Sequence, residues 1–131
     1  MVMTIELKML AWAGLLGIAQ ILLAAAAITR ERGTRWNASA RDGAEPEPGV
    51  LAGRLRRAQA NFLETFPIFA AAAIAVVLAG RADATTALAA QLYFWARLVY
   101  VPLYAAGVPY VRSLAWVVSL AGVLMLLWAL V

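Results

Sequence analysis

The sequence contains no cysteine and no histidine. Without cysteine the chain can form no disulfide, and without either residue it offers a metal ion neither thiolate nor imidazole, so no metal site is predicted. Nucleophilic catalysis by cysteine and catalytic triads built on histidine are excluded as well. Any thiol chemistry therefore has to take its sulfur from a substrate.

Charged residues are also scarce, at 14% of the 131 residues, whereas 65% of the residues are hydrophobic. A soluble domain has roughly 25% charged and about 45–50% apolar residues. The charges are unevenly placed, with long uncharged stretches, which is the pattern a bilayer demands because a charge in hydrocarbon is costly. The composition predicts a single transmembrane domain covering residues 1–131.

Four apolar segments are long enough to cross a hydrocarbon core of about 30 Å. They predict an all-α, integral membrane four-helix bundle, in which Asp83 caps the third helix and Pro102 kinks it near its end. A cleaved signal peptide is the alternative for the first segment, but its length and weakly basic start favour a retained helix. The predicted helices cover about residues 5–29, 53–79, 84–106 and 110–131.

The longest predicted connection runs from Arg30 to Gly53 and contains a Glu-Pro-Glu-Pro stretch, so no helix is predicted there. Seven of the eleven basic residues lie between Arg30 and Arg57. The positive-inside rule explains this cluster and places the long loop in the cytoplasm and both termini on the periplasmic side. A nucleic-acid partner would require the basic patch on a soluble surface, so none is predicted.

The second predicted helix carries polar residues that a lipid-facing helix avoids. At about 100° per residue, Arg57, Asn61 and Glu64 share one face of this helix, and Gln59 points nearly the opposite way. One polar face would meet the chain's own helices and the other a neighbouring chain. The pattern therefore favours an oligomer.

A second polar stripe follows the third predicted helix. Tyr93, Arg97, Tyr100 and Tyr104 are spaced so that they share one face. The second and third helices are joined by a very short turn, so they are antiparallel neighbours whose stripes can face each other. A cleft with cations, a carboxylate, an amide and phenols suits an anionic, peptide-like ligand, because arginine binds carboxylates through paired hydrogen bonds.

Purely structural roles remain open for the same side chains. Glu64 can pair with Arg97 or Arg57 only to fix the register of the helices. Asn61 and Gln59 can form hydrogen bonds between helices, and the tyrosines can lie at the membrane interface. No chemistry is assigned to the tryptophans, which are Trp12, Trp36, Trp95, Trp116 and Trp128.

Residues 57–67, RAQANFLETFP, resemble the second-helix signature of the MAPEG family, the membrane-associated proteins in eicosanoid and glutathione metabolism. Residues 96–100, ARLVY, followed by Tyr104, look like the third-helix signature of that family. The resemblance covers essentially the whole chain and is to the short bacterial members. It implies a homotrimer of four-helix subunits in the bacterial inner membrane, with glutathione bound as a co-substrate between adjacent subunits.

The resemblance also implies residue roles. Gln59 would reach glutathione from the neighbouring subunit, and Arg112 is the nearest match to the catalytic arginine that holds glutathione as a thiolate. Arg112 lies about one position beyond the family's place for this arginine, and Thr65 stands where leukotriene synthases have tyrosine. The glutathione-binding set that the resemblance implies is Arg30, Arg57, Gln59, Asn61, Glu64, Tyr100 and Tyr104. Arg97 is added to this predicted set because it shares the polar stripe of Tyr100 and Tyr104.

The activity implied is that of a glutathione transferase or peroxidase acting on lipophilic small molecules that arrive from the membrane lipid. Two hypotheses from other classes remain open. One is a non-enzymatic membrane assembly protein that keeps these residues for packing. The other is a small proton-coupled exporter in which Glu64 exchanges protons.

Overall fold

The chain forms an all-helical bundle in a computed structural model that describes residues 2–131. Thr4 caps the first helix by accepting a hydrogen bond from the Leu7 N–H at 3.3 Å. Asp83 caps the fourth through a capping box with Thr86, as the sequence predicts. The helices of the described residues are α1 (Ile5–Arg32), α2 (Thr34–Ala38), α3 (Val50–Leu78), α4 (Ala84–Ala105) and α5 (Tyr110–Trp128).

The predicted count of four helices is not confirmed, because residues 2–131 contain five, of which α2 has only five residues. The connection predicted to lack helix is shorter than expected: α1 continues to Arg32, α2 lies within the connection, and α3 begins at Val50. Gly33 has a φ of +86°, a conformation that glycine adopts without strain, and it separates α1 from α2. The proline-containing stretch lies beyond α2, in the non-helical residues 39–49.

The chain is a membrane protein whose apolar surface faces outward. The helices α1, α3 and α5 are long and apolar enough to cross a membrane, so the prediction of four such helices is supported for three. The hydropathy of α4 is lower because this helix contains Gln91, Arg97 and the tyrosines. Leu22 and Val117 are exposed, at 63% and 53%, whereas Arg97 is 1% exposed, and lipid is the solvent that tolerates such a surface.

Small residues let the helices approach closely. A Cβ atom on Gly122 of α5 would lie 2.5 Å from the Ala89 carbonyl oxygen of α4. A Cβ atom on Gly17 of α1 would lie 3.0 Å from Cε1 of Phe62 on α3. The first contact joins α5 to α4 and the second joins α1 to α3, and all four helices contribute to one apolar core.

Hydrogen bonds and salt bridges fix the two ends of the bundle. At one end, the buried carboxylate of Glu6 accepts a hydrogen bond from the Thr86 hydroxyl at 2.6 Å. At the other end, the Gly49 N–H at the start of α3 donates to the Glu31 carboxylate at 2.9 Å. The Arg54 guanidinium donates to the Ala105 carbonyl oxygen at 3.3 Å. The start of α3 is thereby held beside the end of α4.

The long connection is also held by a carboxylate that two helices share. Glu45 Oε1 lies 2.7 Å from Arg32 Nη1 and 3.0 Å from Arg56 Nη1. The hydrogen bond from Arg32, followed by that from Arg56, lowers the pKa of the Glu45 carboxyl below its ordinary value. The loop therefore folds over the end of the bundle at which α3 begins.

Candidate functional site

A polar cleft opens between α3, α4 and α5 at the loop end of the bundle. Its volume is about 450 Å³, within the range of roughly 300–1,000 Å³ found for small-molecule sites. Because α3 begins, α4 ends and α5 begins at this level, three separate segments of the chain share its wall. The lining residues are Arg57, Ala60, Asn61, Glu64, Tyr100, Tyr104, Arg112, Ser113 and Trp116.

The wall formed by α3 carries one cation, one amide and one carboxylate. Arg57, Asn61 and Glu64 are spaced by four and three residues, so the 3.6-residue period of the helix places them on one face. Arg57 and Glu64 are exposed to the cleft. Asn61 lines the cleft, and its Oδ1 atom is buried and has no hydrogen-bond partner among the described residues.

The wall formed by α4 carries two stacked phenols. The rings of Tyr100 and Tyr104 meet edge to face, with centroids 5.6 Å apart and an interplanar angle of 63°. Arg57 Nε donates a hydrogen bond to the Tyr104 hydroxyl at 3.2 Å. This bond links the polar stripes of α3 and α4, which the sequence predicted to face each other.

The wall formed by α5 brings Arg112 into the cleft. The guanidinium carbon of Arg112 lies 4.5 Å from the ring centroid of Tyr104. The offset of one position from the family pattern therefore does not turn Arg112 away, because the turn between α4 and α5 sets where α5 begins. Gly107, with a φ of +75°, lies in that turn.

Three lining residues, Ala60, Ser113 and Trp116, are absent from the sequence prediction. Trp116 lies four residues after Arg112 on α5, so helical periodicity could have placed the two side chains on one face. Ser113 follows Arg112 directly. Trp116 is missing from the prediction because no chemistry was assigned to the tryptophans.

Three predicted site residues lie outside the cleft of the single chain. Arg97 is buried behind Tyr100, with its guanidinium carbon 4.2 Å from the centroid of the Tyr100 ring. Gln59 is half-buried on another face of α3, and Arg30 is exposed near the end of α1. No residue of α1 lines the cleft.

Thr65, which departs from the leukotriene-synthase pattern, points into the bundle. Its hydroxyl lies 3.0 Å from the hydroxyl of Tyr93, and Tyr93 is fully buried and stacked on Phe69 with ring centroids 4.0 Å apart. Thr65 is not a lining residue of the cleft. The hydroxyl at this position therefore serves the packing of α3 on α4.

The charge of the cleft is positive overall, because it contains two guanidiniums and one carboxylate. The carboxylate of Glu64 is not within 4.0 Å of any guanidinium, since the salt bridges of residues 2–131 are those of Glu45. The arrangement can bind an anion through Arg57 and Arg112 and an ammonium group through Glu64.

Fold and cleft together define an all-helical membrane protein with a ligand-sized, mainly cationic cleft near one end of its helices. The model of the MAPEG family matches residues 9–131, nearly the whole chain. The chain belongs to the MAPEG family, whose members are glutathione-related membrane proteins, and the family resemblance predicted from the sequence is confirmed. No curated protein and no solved structure matches the chain in the other two comparisons.

Proposed function

We propose that the protein is a glutathione-binding membrane enzyme, a transferase or peroxidase that acts on lipophilic substrates. The observation that carries this proposal is the convergence of Arg57, Asn61, Glu64 and Arg112 on one cleft. Membership of the MAPEG family supports glutathione as the ligand.

The donors and acceptors of the cleft match the groups of glutathione. The guanidinium of Arg57 suits one of its carboxylates, because arginine binds a carboxylate through two parallel hydrogen bonds. Glu64 suits its ammonium group, and the amide of Asn61, which lines the cleft, suits a peptide group. A neutral or cationic ligand would leave the net positive charge of the cleft uncompensated.

Glutathione would supply the thiol that a chain without cysteine lacks. Arg112, placed over Tyr104, is the residue assigned to hold that thiol as a thiolate, because a nearby cation lowers the pKa of a thiol. Trp116, one helical turn from Arg112, offers an apolar wall for the lipophilic substrate. The substrate would enter from the lipid and glutathione from the side of the long loop.

The active form in this proposal is a homotrimer in the bacterial inner membrane, with both termini on the periplasmic side. Gln59 and Arg30 lie outside the cleft of their own chain, and in a trimer they would reach the cleft of a neighbour. The absence of α1 from the cleft wall leaves one side for that neighbour. Basic residues around the loop favour its cytoplasmic side.

The binding test is calorimetry of glutathione with the purified protein in detergent. Wild type is expected to bind, and Arg57→Ala and Glu64→Ala are each expected to weaken binding by about tenfold or more, as loss of a charge-assisted hydrogen bond predicts. Arg35→Ala, an exposed residue of α2, is the matched control and should bind as wild type does. No heat of binding at millimolar glutathione would refute the proposal.

The assembly hypothesis depends on Glu64 and Arg97 serving as a structural ion pair. Within one subunit that pair does not form, because the salt bridges among residues 2–131 involve Glu45 only. Glu64 is exposed in the cleft while Arg97 is buried behind Tyr100. This separation favours the ligand-binding function over the assembly function.

A further inference from the structure

The end of α4 is closed by two backbone hydrogen bonds and by a third bond that comes from another helix. The Val108 N–H donates to the Leu103 carbonyl oxygen and the Gly107 N–H to that of Tyr104, each at 3.0 Å. This pair of bonds is the Schellman motif, which satisfies carbonyl groups that a helix leaves unpaired at its end. The next carbonyl, that of Ala105, is reached from α3.

Arg54 of α3 supplies this third bond. Its Nη1 donates to the Ala105 carbonyl oxygen at 3.3 Å, and its charge lies at the carboxyl end of α4, where the helix dipole favours a cation. The guanidinium also lies directly against Gly107, because a Cβ atom on Gly107 would be 2.7 Å from Arg54 Cζ. Arg54 therefore covers the turn between α4 and α5, and a glycine at position 107 leaves it the room to do so.

The contacts of Arg54 are with this turn and not with the interior of the cleft. Arg54 is half-buried and is not one of the lining residues of the cleft. It forms no salt bridge among residues 2–131, where the salt bridges are those of Glu45. Its hydrogen bond goes to the backbone that joins two walls of the cleft.

The turn connects the two residues on which the assignment of a thiolate stabiliser depends. Tyr104 lies in the last turn of α4, and its carbonyl group is part of the Schellman motif. Arg112 lies in the first turn of α5, and its guanidinium carbon is 4.5 Å from the centroid of the Tyr104 ring. Because the turn determines where α5 begins and how it is rotated, a shift of the turn would move Arg112 relative to Tyr104.

We propose that Arg54 is a positioning residue that sets where Arg112 lies in the cleft by holding the turn between α4 and α5. This inference rests on the proposed function, in which Arg112 holds the thiol of glutathione as a thiolate. Arg57, one turn further along α3, bonds to the Tyr104 hydroxyl at 3.2 Å. The two arginines of α3 thus hold the end of α4, Arg54 through its backbone and Arg57 through a side chain of the cleft.

The first test compares Arg54→Met with the wild type in the conjugation of glutathione to an aryl halide. A misplacement of about 1 Å can reduce a rate by roughly 10²-fold, and a fall in kcat of about tenfold with little change in KM is expected, since Arg54 does not line the cleft. The pH at which half of the bound glutathione is thiolate should rise, because the cation is no longer held beside the sulfur.

Arg54→Lys keeps a cation and a donor for the Ala105 carbonyl group, so it should recover most of the rate and of the wild-type pH profile. A purely structural role would lower the midpoint of thermal unfolding without moving the pH of thiolate formation. Arg56→Met is the matched control, because Arg56 is exposed on the same helix and bonds to Glu45 instead of the turn.

A second variant displaces the guanidinium without replacing Arg54 and keeps the test decisive if Arg54→Met does not fold. Gly107 has a φ of +75°, and asparagine adopts positive φ more readily than most residues with a side chain. The Cβ atom of Gly107→Asn would still meet the Arg54 guanidinium. This variant should therefore lower kcat and raise the pH of thiolate formation as Arg54→Met does.

Amide hydrogen exchange in detergent without glutathione reports on the turn itself. Protection of residues 106–108, corrected for intrinsic rates, should fall in Arg54→Met and in Gly107→Asn but not in Arg56→Met. Unchanged protection, or lower protection with an unchanged pH of thiolate formation, would overturn the positioning role and leave glutathione binding intact. A wild type that binds no glutathione would refute the proposed function instead, and the exchange data would still show whether Arg54 holds the turn.

Discussion

The guanidinium of Arg112 lies over the ring of Tyr104, with its carbon 4.5 Å from the ring centroid. The hydroxyl of the same tyrosine accepts a hydrogen bond from Arg57 Nε at 3.2 Å. Two cations from different helices thus meet at one phenol. Tyr104 fixes where both guanidiniums lie in the cleft, and this is the arrangement on which thiolate chemistry would depend.

Replacing Arg112 by methionine should suppress chemistry more than binding. Arg57 and Glu64 remain to hold glutathione, but the cation beside its thiol is lost. Loss of one preorganised group that stabilises a developing anion reduces turnover roughly 10²–10³-fold, and a fall of about 10²-fold is expected here. The thiolate absorbance of bound glutathione and the initial rate with an aryl halide measure the two effects.

Arg35→Met is the control for the loss of one arginine, because Arg35 is exposed on α2 and does not line the cleft. It should keep both the thiolate absorbance and the rate of the wild type. If Arg112→Met leaves the thiolate absorbance unchanged, the assignment of Arg112 as thiolate stabiliser is wrong.

The relative positions of lining residues that belong to the same helix can be predicted from the sequence. Arg57, Asn61 and Glu64 share a face because helical periodicity requires it, and Tyr100 and Tyr104 are one turn apart for the same reason. The short turn after α3 makes α3 and α4 neighbours. These relations are local, so residue spacing determines them.

Relations that pass through an irregular segment could not be predicted in the same way. The orientation of Arg112 depends on the turn of residues 106–109, because one residue more or less in that turn rotates the side chain by about 100°. Arg97 was placed with the site because it shares a stripe with Tyr100. The third helix that packs there determines which residues of a stripe face the cleft and which face the core.

Substituting alanine for Gly122 should destabilise the packing of α4 on α5. The added Cβ atom would lie 2.5 Å from the Ala89 carbonyl oxygen and 3.0 Å from the Tyr93 nitrogen, and backbone atoms cannot move aside as a flexible side chain does. Overpacking of this kind costs roughly 1–3 kcal/mol. The midpoint of thermal unfolding in detergent should fall accordingly.

Gly14→Ala is the matched control, because a Cβ atom at Gly14 in α1 would meet nothing within 4 Å. Alanine favours a helix over glycine by about 1 kcal/mol, so this variant should be as stable as the wild type or more so. Equal destabilisation by both substitutions would contradict the close approach at Gly122.

The hydroxyl groups of Thr65 and Tyr93 should be coupled in their effect on the free energy of unfolding. Removing one should cost more than removing the other. Thr65→Val removes the partner of the fully buried Tyr93 hydroxyl, 3.0 Å away, and an unsatisfied buried group costs about 1–3 kcal/mol. Tyr93→Phe should cost less, because the Thr65 hydroxyl can still donate to the Phe62 carbonyl oxygen at 3.3 Å.

The double variant measures this coupling, because Tyr93→Phe removes the group that Thr65→Val leaves unpaired. Its loss in unfolding free energy should be smaller than the sum of the single losses by about 0.5–1.5 kcal/mol. Strict additivity would show that the two hydroxyls do not interact. Glutathione affinity should be unchanged throughout, since neither residue lines the cleft.

Lowering the pH should release the long loop, because the Glu45 carboxylate that holds it becomes protonated. Hydrogen bonds from Arg32, and then from Arg56, lower the pKa of this carboxyl, so its stabilising contribution is present above the ordinary glutamate pKa of about 4.3. The contribution is lost as the pH falls through the lowered pKa of the folded protein. Amide hydrogen exchange in residues 39–49, corrected for intrinsic rates, should show protection that declines only below about pH 4.

Glu45→Gln should remove this pH dependence, because a neutral amide cannot form the two salt bridges that join Arg32 and Arg56. Protection in the loop should then be low at every pH. Glu47→Gln is the control: Glu47 is exposed and forms no salt bridge among residues 2–131, so this variant should follow the wild-type profile. If Glu45→Gln lost protection at the same pH as the wild type, another carboxylate would hold the loop. Glu31, which accepts a hydrogen bond from the Gly49 N–H, would then be the residue to replace next.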